Sequence, residues 1–141
     1  MTINEYESIF ALCEEKYNKK TMEHAKRVEK YTMNDCRYCF YDKEDKWFLR
    51  ALAIAHDLFE DTDVTPSILL RMNYNTQFIT ELAHLTRLDN EPYEKYIKQI
   101  VEIGGRPLLV KCADMKDHLT QRNTLTPRLK EKYSKVLKYL K

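Results

Sequence analysis

Residues 51–62 read Ala-Leu-Ala-Ile-Ala-His-Asp-Leu-Phe-Glu-Asp-Thr, an apolar run that opens directly into four ionisable side chains within six positions. On a helix, His56 and Glu60 lie four residues apart on one face. Asp57 and Asp61 lie on the neighbouring face, and a cation held between the two faces would be within reach of both. The alternative is a helix that leaves the core and ends in a solvated acidic tip, because exposed charges need no partner.

The composition predicts an all-α protein with a single domain over residues 1–141. The chain contains 2 glycines and 4 prolines, and 33% of its residues are charged. Such a composition, with many Leu, Lys and Glu residues, favours helices over strands and tight turns. A chain of 141 residues can bury a core without disulfides or a structural metal. We therefore expect one helical domain of about seven or eight helices.

The charge and the cysteines argue against several classes of protein. The formal net charge is +2 and no basic run has the length of a nucleic-acid-binding tail, so no nucleic-acid partner is predicted. The sequence shows no signal peptide and no apolar run of membrane length, which predicts a cytoplasmic protein that does not enter a membrane. Cys36 and Cys39 have the spacing of a redox motif or of half a zinc site. We interpret the pair as incidental, because no second Cys or His pair follows at a suitable distance.

Apolar residues at three- and four-residue spacing predict helices along the chain. The expected helices cover residues 2–17, 22–32, 42–61, 66–72, 76–88, 92–103, 111–119 and 127–140, with a loop or short helical turn at 34–42. Thr21, Asp42 or Asp45, and Thr65 are the expected N-caps. The inward positions expected in the last helix are Leu129, Tyr133, Val136, Leu137 and Leu140.

Two further helices carry polar side chains where the pattern expects apolar ones. His24 lies at the edge of the buried stripe of its helix, and Asp114 interrupts an apolar run. A lone histidine in such a position is commonly structural, and we interpret His84 in that way. Together with the His-Asp pair at 56–57, however, His24 and Asp114 form a set of imidazole and carboxylate ligands that suits Mn, Fe or Zn. Four protein ligands leave positions open for water or substrate, which indicates a catalytic site.

The order His…His-Asp…Asp resembles that of the HD-domain metal-dependent phosphohydrolases. The first histidine lies in a His-x-x-Arg-Val setting at residues 24–28. His-Asp-x-x-Glu-Asp-Thr at 56–62 and Val-Lys-x-Ala-Asp at 110–114 resemble more narrowly the hydrolase domains that degrade guanosine tetra- and pentaphosphate alarmones, including their small single-domain relatives. The similarity extends over most of the chain, from residue 20 to residue 122.

This resemblance implies a metal centre and a reaction. The implied ligands of one Mn²⁺, or of another divalent transition metal, are His24, His56, Asp57 and Asp114. Glu60 and Asp61 are implied to orient or activate the water that attacks phosphorus, which releases pyrophosphate from the 3′ position of the alarmone. The chemistry is coherent, because a metal lowers the pKa of its water and a carboxylate one turn along the helix can accept the proton. The expected partner is a small nucleotide substrate, and homo-oligomerisation stays open.

The chain departs from the family pattern at two places that concern the substrate. The alarmone hydrolases usually have His-x-Gly-Gln-x-Arg-Lys before the first ligand, whereas residues 13–20 read Cys-Glu-Glu-Lys-Tyr-Asn-Lys-Lys. Only lysines such as Lys20 can take over the basic role there. Four residues after the last metal-binding Asp, the family often has an Asn that contacts the nucleotide sugar, and this chain has His118.

Further residues are predicted near the substrate. Tyr93 belongs to a Leu-Thr-Arg…Tyr-x-x-Tyr-Ile segment at residues 85–97 that is similar to segments of small HD proteins. Lys111 precedes the last ligand and, like Thr62, could also fix the orientation of a ligand. The predicted substrate-binding residues are Lys20, Tyr93, Lys111 and His118.

The leading hypothesis is a Mn²⁺-dependent phosphohydrolase of small nucleotides, with alarmone 3′-pyrophosphohydrolase activity as the first choice. Within the enzymes, the alternative is a nucleotidase or a cyclic-nucleotide phosphodiesterase. Two alternatives come from other classes: a protein that binds or sequesters a nucleotide without turning it over, and a helical interaction domain without metal.

Overall fold

The computed structural model describes the backbone of residues 1–121 and 126–140, and side chains of residues 1–121 and 126–134. All regular structure in these residues is helical, which confirms the predicted all-α class. The α-helical segments are α1 (Ile3–Lys16), α2 (Lys19–Asn34), α3 (Lys43–Ala55), α4 (Leu58–Asp61), α5 (Pro66–Arg71), α6 (Thr76–His84), α7 (Tyr93–Ile103), α8 (Gly105–Thr120) and α9 (Pro127–Leu140). Since α4 is a single turn, eight longer helices are described, in agreement with the expected number.

Side-chain caps fix where several helices begin. Asp42 caps α3 by accepting a hydrogen bond from the Asp45 N–H, and Thr65 caps α5 just before Pro66. Both starts agree with the prediction. Helix α2 begins earlier than expected, because Asn18 rather than Thr21 is its N-cap. A 3-10 helix at Cys36–Phe40 occupies the predicted loop or short turn.

Three further predicted helix boundaries are wrong. The helix expected to run through residues 42–61 is interrupted at His56 and Asp57, which form a turn between α3 and α4. Helix α6 ends at His84 rather than at residue 88, so the following residues turn away from its axis. Helix α8 starts at Gly105 rather than at residue 111 as predicted. The preceding Gly104 has a φ of 66°, which ends α7 and lets the chain change direction within one residue.

The core is built around α3. Its segment from Ala51 to Ala55 is fully buried, and α3 packs against α1 and α2 while α2 also packs against α8. Helix α9 packs on α7 and α8, with Tyr133 buried as predicted. The predicted inward positions Val136, Leu137 and Leu140 lie outside the residues whose side chains are described. Among the described residues, no helix combines the length and the apolar character needed to cross a membrane.

Candidate metal centre

The turn between α3 and α4 presents the His-Asp pair at the end of a buried helix. His56 is 3% exposed, and its Nδ1 lies 2.7 Å from the carbonyl oxygen of Ala53. The next carbonyl, of Ile54, accepts a hydrogen bond of 2.8 Å from the Tyr17 hydroxyl. Side chains thus satisfy the last carbonyls of α3, and the buried helix holds the His56 ring in one orientation.

Helix α2 supplies His24, whose orientation is set by a partner on α8. His24 Nδ1 lies 2.6 Å from Asp117 Oδ2, and Arg27 Nε donates to the other oxygen of Asp117 at 2.8 Å. Asp117 is completely buried. A carboxylate behind a histidine is the usual device that orients a metal-binding imidazole and raises its basicity.

Helix α8 supplies Asp114, one turn before the partner of His24. Asp114 Oδ2 accepts a hydrogen bond of 2.8 Å from the buried Lys111 ammonium group. The bond fixes the carboxylate and leaves its other oxygen, Oδ1, pointing at the histidines. Lys111 therefore orients Asp114, which was one of the two roles predicted for it.

The four residues predicted as metal ligands lie within a few ångströms of each other. His24 Nε2 is 3.0 Å from Asp114 Oδ1 and 3.6 Å from Asp57 Oδ2. His56 Nε2 is 3.1 Å from Asp57 Oδ2 and 3.4 Å from Asp114 Oδ1. Helices α2 and α8 and the α3–α4 turn therefore bring two imidazoles and two carboxylates to one point.

The donor set fits a cation at this point. Carboxylate and carbonyl oxygens only accept hydrogen bonds, so Nδ1 of both His24 and His56 must donate. In the neutral rings Nε2 then carries a lone pair, and each lone pair faces the oxygens of Asp57 and Asp114. His56 Nε2 is buried without a hydrogen-bond partner among the described residues. Acceptors that face acceptors are stabilised by a positive charge between them, either a metal ion or protons on the imidazoles.

The electrostatics of the cluster lead to the same conclusion. Although burial lowers it, the neighbouring carboxylates Asp57 and Asp114 raise the pKa of His56 well above its ordinary value. Burial raises the pKa of Asp114, but Lys111 and then His56 bring it well below the usual range. The cluster holds its carboxylates ionised and attracts positive charge.

A cavity of about 610 Å³ opens beside this cluster. Its volume falls in the range of about 300–1,000 Å³ that is usual for small-molecule sites. Among the described residues, its charged lining consists of three cations and four carboxylates: Arg87, Lys111, Lys132, Asp57, Glu60, Asp89 and Asp114. The cavity therefore has the size of a nucleotide site and offers both cations and the cluster to a ligand.

The two predicted catalytic carboxylates lie in different places. Glu60 lines the cavity, and its Oε1 accepts a hydrogen bond of 2.7 Å from the backbone N–H of Arg87. Desolvation raises the pKa of Glu60, and the hydrogen bond from the Arg87 N–H lowers it. The charge of Asp57 also raises this pKa. Both side chains are exposed, but Asp61 is not among the residues that line the cavity. Glu60 is thus the carboxylate placed to meet a ligand in the cavity.

The predicted substrate-binding residues are also spread out. Tyr93 and His118 line the cavity with Lys111, whereas Lys20 is exposed at the start of α2 and does not line it. Thr62, proposed as an orienting residue, donates instead to the Leu58 carbonyl at 2.5 Å and ends the α4 turn.

Sequence reasoning missed several residues of the site. Asp117 was available from its spacing, since a second Asp three residues after Asp114 shares its helix face. Arg87 and Lys132 carry no such signal, because they come from the turn after α6 and from α9, and only packing places them beside the cavity. The rings of Tyr133 and His118 stack with centroids 5.0 Å apart, and the sequence does not predict this contact either.

The cysteine pair takes no part in this site. Cys36 and Cys39 are exposed free thiols. The groups of side chains that could hold a metal ion consist, within the described residues, of histidines and aspartates alone.

The described residues thus place an imidazole–carboxylate cluster beside a cavity that is lined by both cations and carboxylates. Comparison of the chain with protein-family models gives no match, and comparison with curated proteins gives none either.

Proposed function

We propose that the protein is a metal-dependent phosphohydrolase of small nucleotides, with Mn²⁺ as the first metal to test and guanosine tetra- and pentaphosphate alarmones as the first substrates. The observation that carries the proposal is the set of imidazole Nε2 atoms and carboxylate oxygens of His24, His56, Asp57 and Asp114 around one point. Mixed nitrogen and oxygen ligands favour a transition metal over Mg²⁺ or Ca²⁺.

The cavity supports an anionic substrate. The Lys132 ammonium group lies 4.3 Å from the centroid of the Tyr93 ring, and the Arg87 guanidinium lies 5.8 Å from it. Burial lowers the pKa of Lys132, and the charges of Arg87 and Lys111 add to the effect. Cations that lie close together in one cavity repel each other, and a polyanion such as a phosphorylated nucleotide would stabilise them.

Different residues have different roles in the proposed hydrolysis. A bound divalent ion supplies Lewis-acid chemistry, which polarises a phosphoryl oxygen and lowers the pKa of water. Glu60 lies in the cavity next to Asp57 and has a raised pKa, which makes it a stronger acceptor for the proton of the attacking water. Tyr93 offers a ring that a base can stack against, while Arg87 and Lys132 hold phosphate groups.

The decisive experiment incubates the purified chain and Mn²⁺ with alarmones, nucleoside mono- and triphosphates and cyclic nucleotides, and identifies the products by ion-exchange chromatography. Release of pyrophosphate from the alarmones is the expected result. Release of inorganic phosphate from monophosphates would identify a nucleotidase, and ring opening of cyclic nucleotides would identify a phosphodiesterase.

The matched variants are Asp114→Ala, which removes a ligand oxygen, and Asp63→Asn, which alters a carboxylate whose side chain is 81% exposed. Only Asp114→Ala is expected to abolish turnover. Metal-loaded protein that turns over none of these compounds would contradict the enzymatic function. Tight binding with unchanged nucleotide recovered afterwards would identify a sequestering protein instead.

A further inference from the structure

His118 lies closer to the metal centre than a residue that contacts only a sugar would need to be. It follows Asp114 by one turn of α8, and its Nε2 lies 3.1 Å from Asp114 Oδ1. The same oxygen lies 3.0 Å from His24 Nε2 and 3.4 Å from His56 Nε2. Three imidazole Nε2 atoms therefore surround one carboxylate oxygen.

Neighbouring rings hold the His118 side chain in this position. Its ring stacks on Tyr133 of α9 at an interplanar angle of 22°, and its centroid lies 4.8 Å from that of His24. Tyr133 is itself buried. The imidazole is thus held between α8 and α9, although 38% of its side chain is exposed on the side of the cavity.

The described ligand atoms form two groups, each with all members within 4.8 Å of one another. One group contains His24, His56 and Asp57, and the other contains His24, Asp114 and His118. The Nδ1 of His24 is occupied by Asp117, so only its Nε2 can bind a metal. One nitrogen lone pair binds one ion, so His24 serves a single ion. Asp114 Oδ1 joins the two groups around one point, because it lies 3.4 Å from His56 Nε2 in the first group and 3.1 Å from His118 Nε2 in the second.

We infer that His118 is a fifth protein ligand, which completes a site of three imidazoles and two carboxylates around one transition-metal ion. The inference rests on the proposed metal-dependent function and extends it. A six-coordinate ion held in this way has one position left for water or a substrate oxygen, and its three nitrogen ligands discriminate against Mg²⁺ and Ca²⁺.

The test measures Mn²⁺ binding to the full, metal-stripped chain by titration calorimetry. His118→Ala is expected to weaken binding by at least about tenfold, since even residues that only orient a ligand contribute 10- to 100-fold. His118→Asp, which offers a carboxylate oxygen in place of the imidazole nitrogen, is expected to recover part of the affinity. The control is His84→Ala, an exposed histidine on α6 outside both groups, which should bind like the unaltered chain.

Pulsed electron paramagnetic resonance of Mn²⁺ in the unaltered chain gives a second result that does not depend on any variant. We expect three coordinated histidine nitrogens, and two in His118→Ala. Equal Mn²⁺ affinity of the unaltered chain and His118→Ala, or only two coordinated nitrogens in the unaltered chain, would overturn the inference while the metal centre stands. An unaltered chain that binds no transition metal would overturn both, whereas five-ligand binding without turnover would overturn only the proposed hydrolysis.

Discussion

At the residue scale, the site depends on which atom of each side chain is already engaged. Asp117 occupies Nδ1 of His24, the Ala53 carbonyl occupies Nδ1 of His56, and Lys111 occupies Oδ2 of Asp114. Each bond leaves one specific atom facing the centre. The geometry of the proposed metal site is therefore preorganised by hydrogen bonds to groups that would not themselves bind the ion.

Asp117→Asn tests this preorganisation. An asparagine amide can donate to Nδ1 of His24, which would move the ring proton to Nε2 and block metal binding. We expect Mn²⁺ affinity to fall by about tenfold or more with the fold retained, measured by calorimetry and circular dichroism. Asp63→Asn is the control, because that side chain is exposed and makes one ion pair of 3.4 Å with Lys16. Equal affinity of both variants would show that Asp117 does not set the tautomer.

Glu60→Gln tests the proposed general base. Desolvation raises the pKa of Glu60, so its proton is retained to a higher pH than in an ordinary glutamate. Activity should therefore rise with pH through a midpoint above the ordinary value of about 4.3. Glutamine can still accept the Arg87 hydrogen bond but cannot accept a proton, so kcat should fall by about 10²- to 10⁴-fold and the acidic limb should disappear.

The measurement is the pH profile of kcat/KM together with Mn²⁺ affinity, which should not change in this variant. Glu102→Gln, on the exposed face of α7, is the matched control. A Glu60→Gln enzyme that keeps both its rate and its acidic limb would assign the base to another group, with Asp61 as the next candidate.

At the scale of elements, helices that are distant in sequence are joined by charged side chains as well as by the core. Arg106 at the start of α8 donates from Nε to Glu81 of α6 at 2.9 Å and from Nη1 to Asp45 of α3 at 2.7 Å. Its guanidinium also lies 3.8 Å from the centroid of the Phe48 ring. One planar side chain thus fixes α3, α6 and α8 relative to one another, on which the position of the metal centre depends.

Arg106→Ala should destabilise the fold strongly, because it leaves the Glu81 carboxylate, whose side chain is 7% exposed, without its cation and with the Gln77 amide, 2.9 Å away, as the remaining described hydrogen-bond donor. Removing one member of a buried ion pair costs about 3–5 kcal/mol. The free energy of unfolding in urea is the measurement. Arg71→Ala, at the exposed end of α5, is expected to change it by about 0.5 kcal/mol or less. A similar effect of both variants would show that the Arg106 network does not hold the helices together.

Helix α9 contributes to the cavity through Lys132, which provides another test at this scale. Lys132→Met removes a cation beside Tyr93 but keeps the length of the side chain. We expect KM for the phosphorylated substrate to rise by about tenfold with kcat unchanged, which corresponds to the loss of one charge-assisted contact of roughly 1.5 kcal/mol. Lys130→Met, an exposed residue of the same helix, should leave KM unchanged. An unchanged KM in Lys132→Met would place the substrate elsewhere.

At the scale of the whole molecule, metal binding and folding are linked. The ligands come from α2, from the α3–α4 turn and from α8, and they converge only in the folded chain. An ion bound there stabilises the native state alone.

Mn²⁺ should therefore raise the melting temperature of the metal-stripped chain. At a free concentration 100 times the Kd the gain is about 2.7 kcal/mol, or roughly 8 °C for a domain of this size. Asp114→Ala should abolish this rise, whatever the melting temperature of the metal-free variant. Asp63→Asn should retain the rise. Equal rises in both variants would place the bound ion away from the cluster.

The sequence by itself determined the helical class, the ionisable residues that directly follow the apolar run at 51–55 and the residue types that converge on the centre. These features follow from local periodicity and from the cost of burying charges without partners, which act within one element. Where the local signals failed, as at the break of α3 at His56 and the early end of α6 at His84, contacts with other elements decided the outcome.

Only the tertiary structure decided which atoms face the centre and what lines the cavity. The engagement of His24 by Asp117, the approach of His118 to Asp114 Oδ1 and the placement of Lys132 beside Tyr93 all join residues on different helices or fix one rotamer among several. No periodicity carries this information, because the packing angle and register of two helices depend on all the side chains between them.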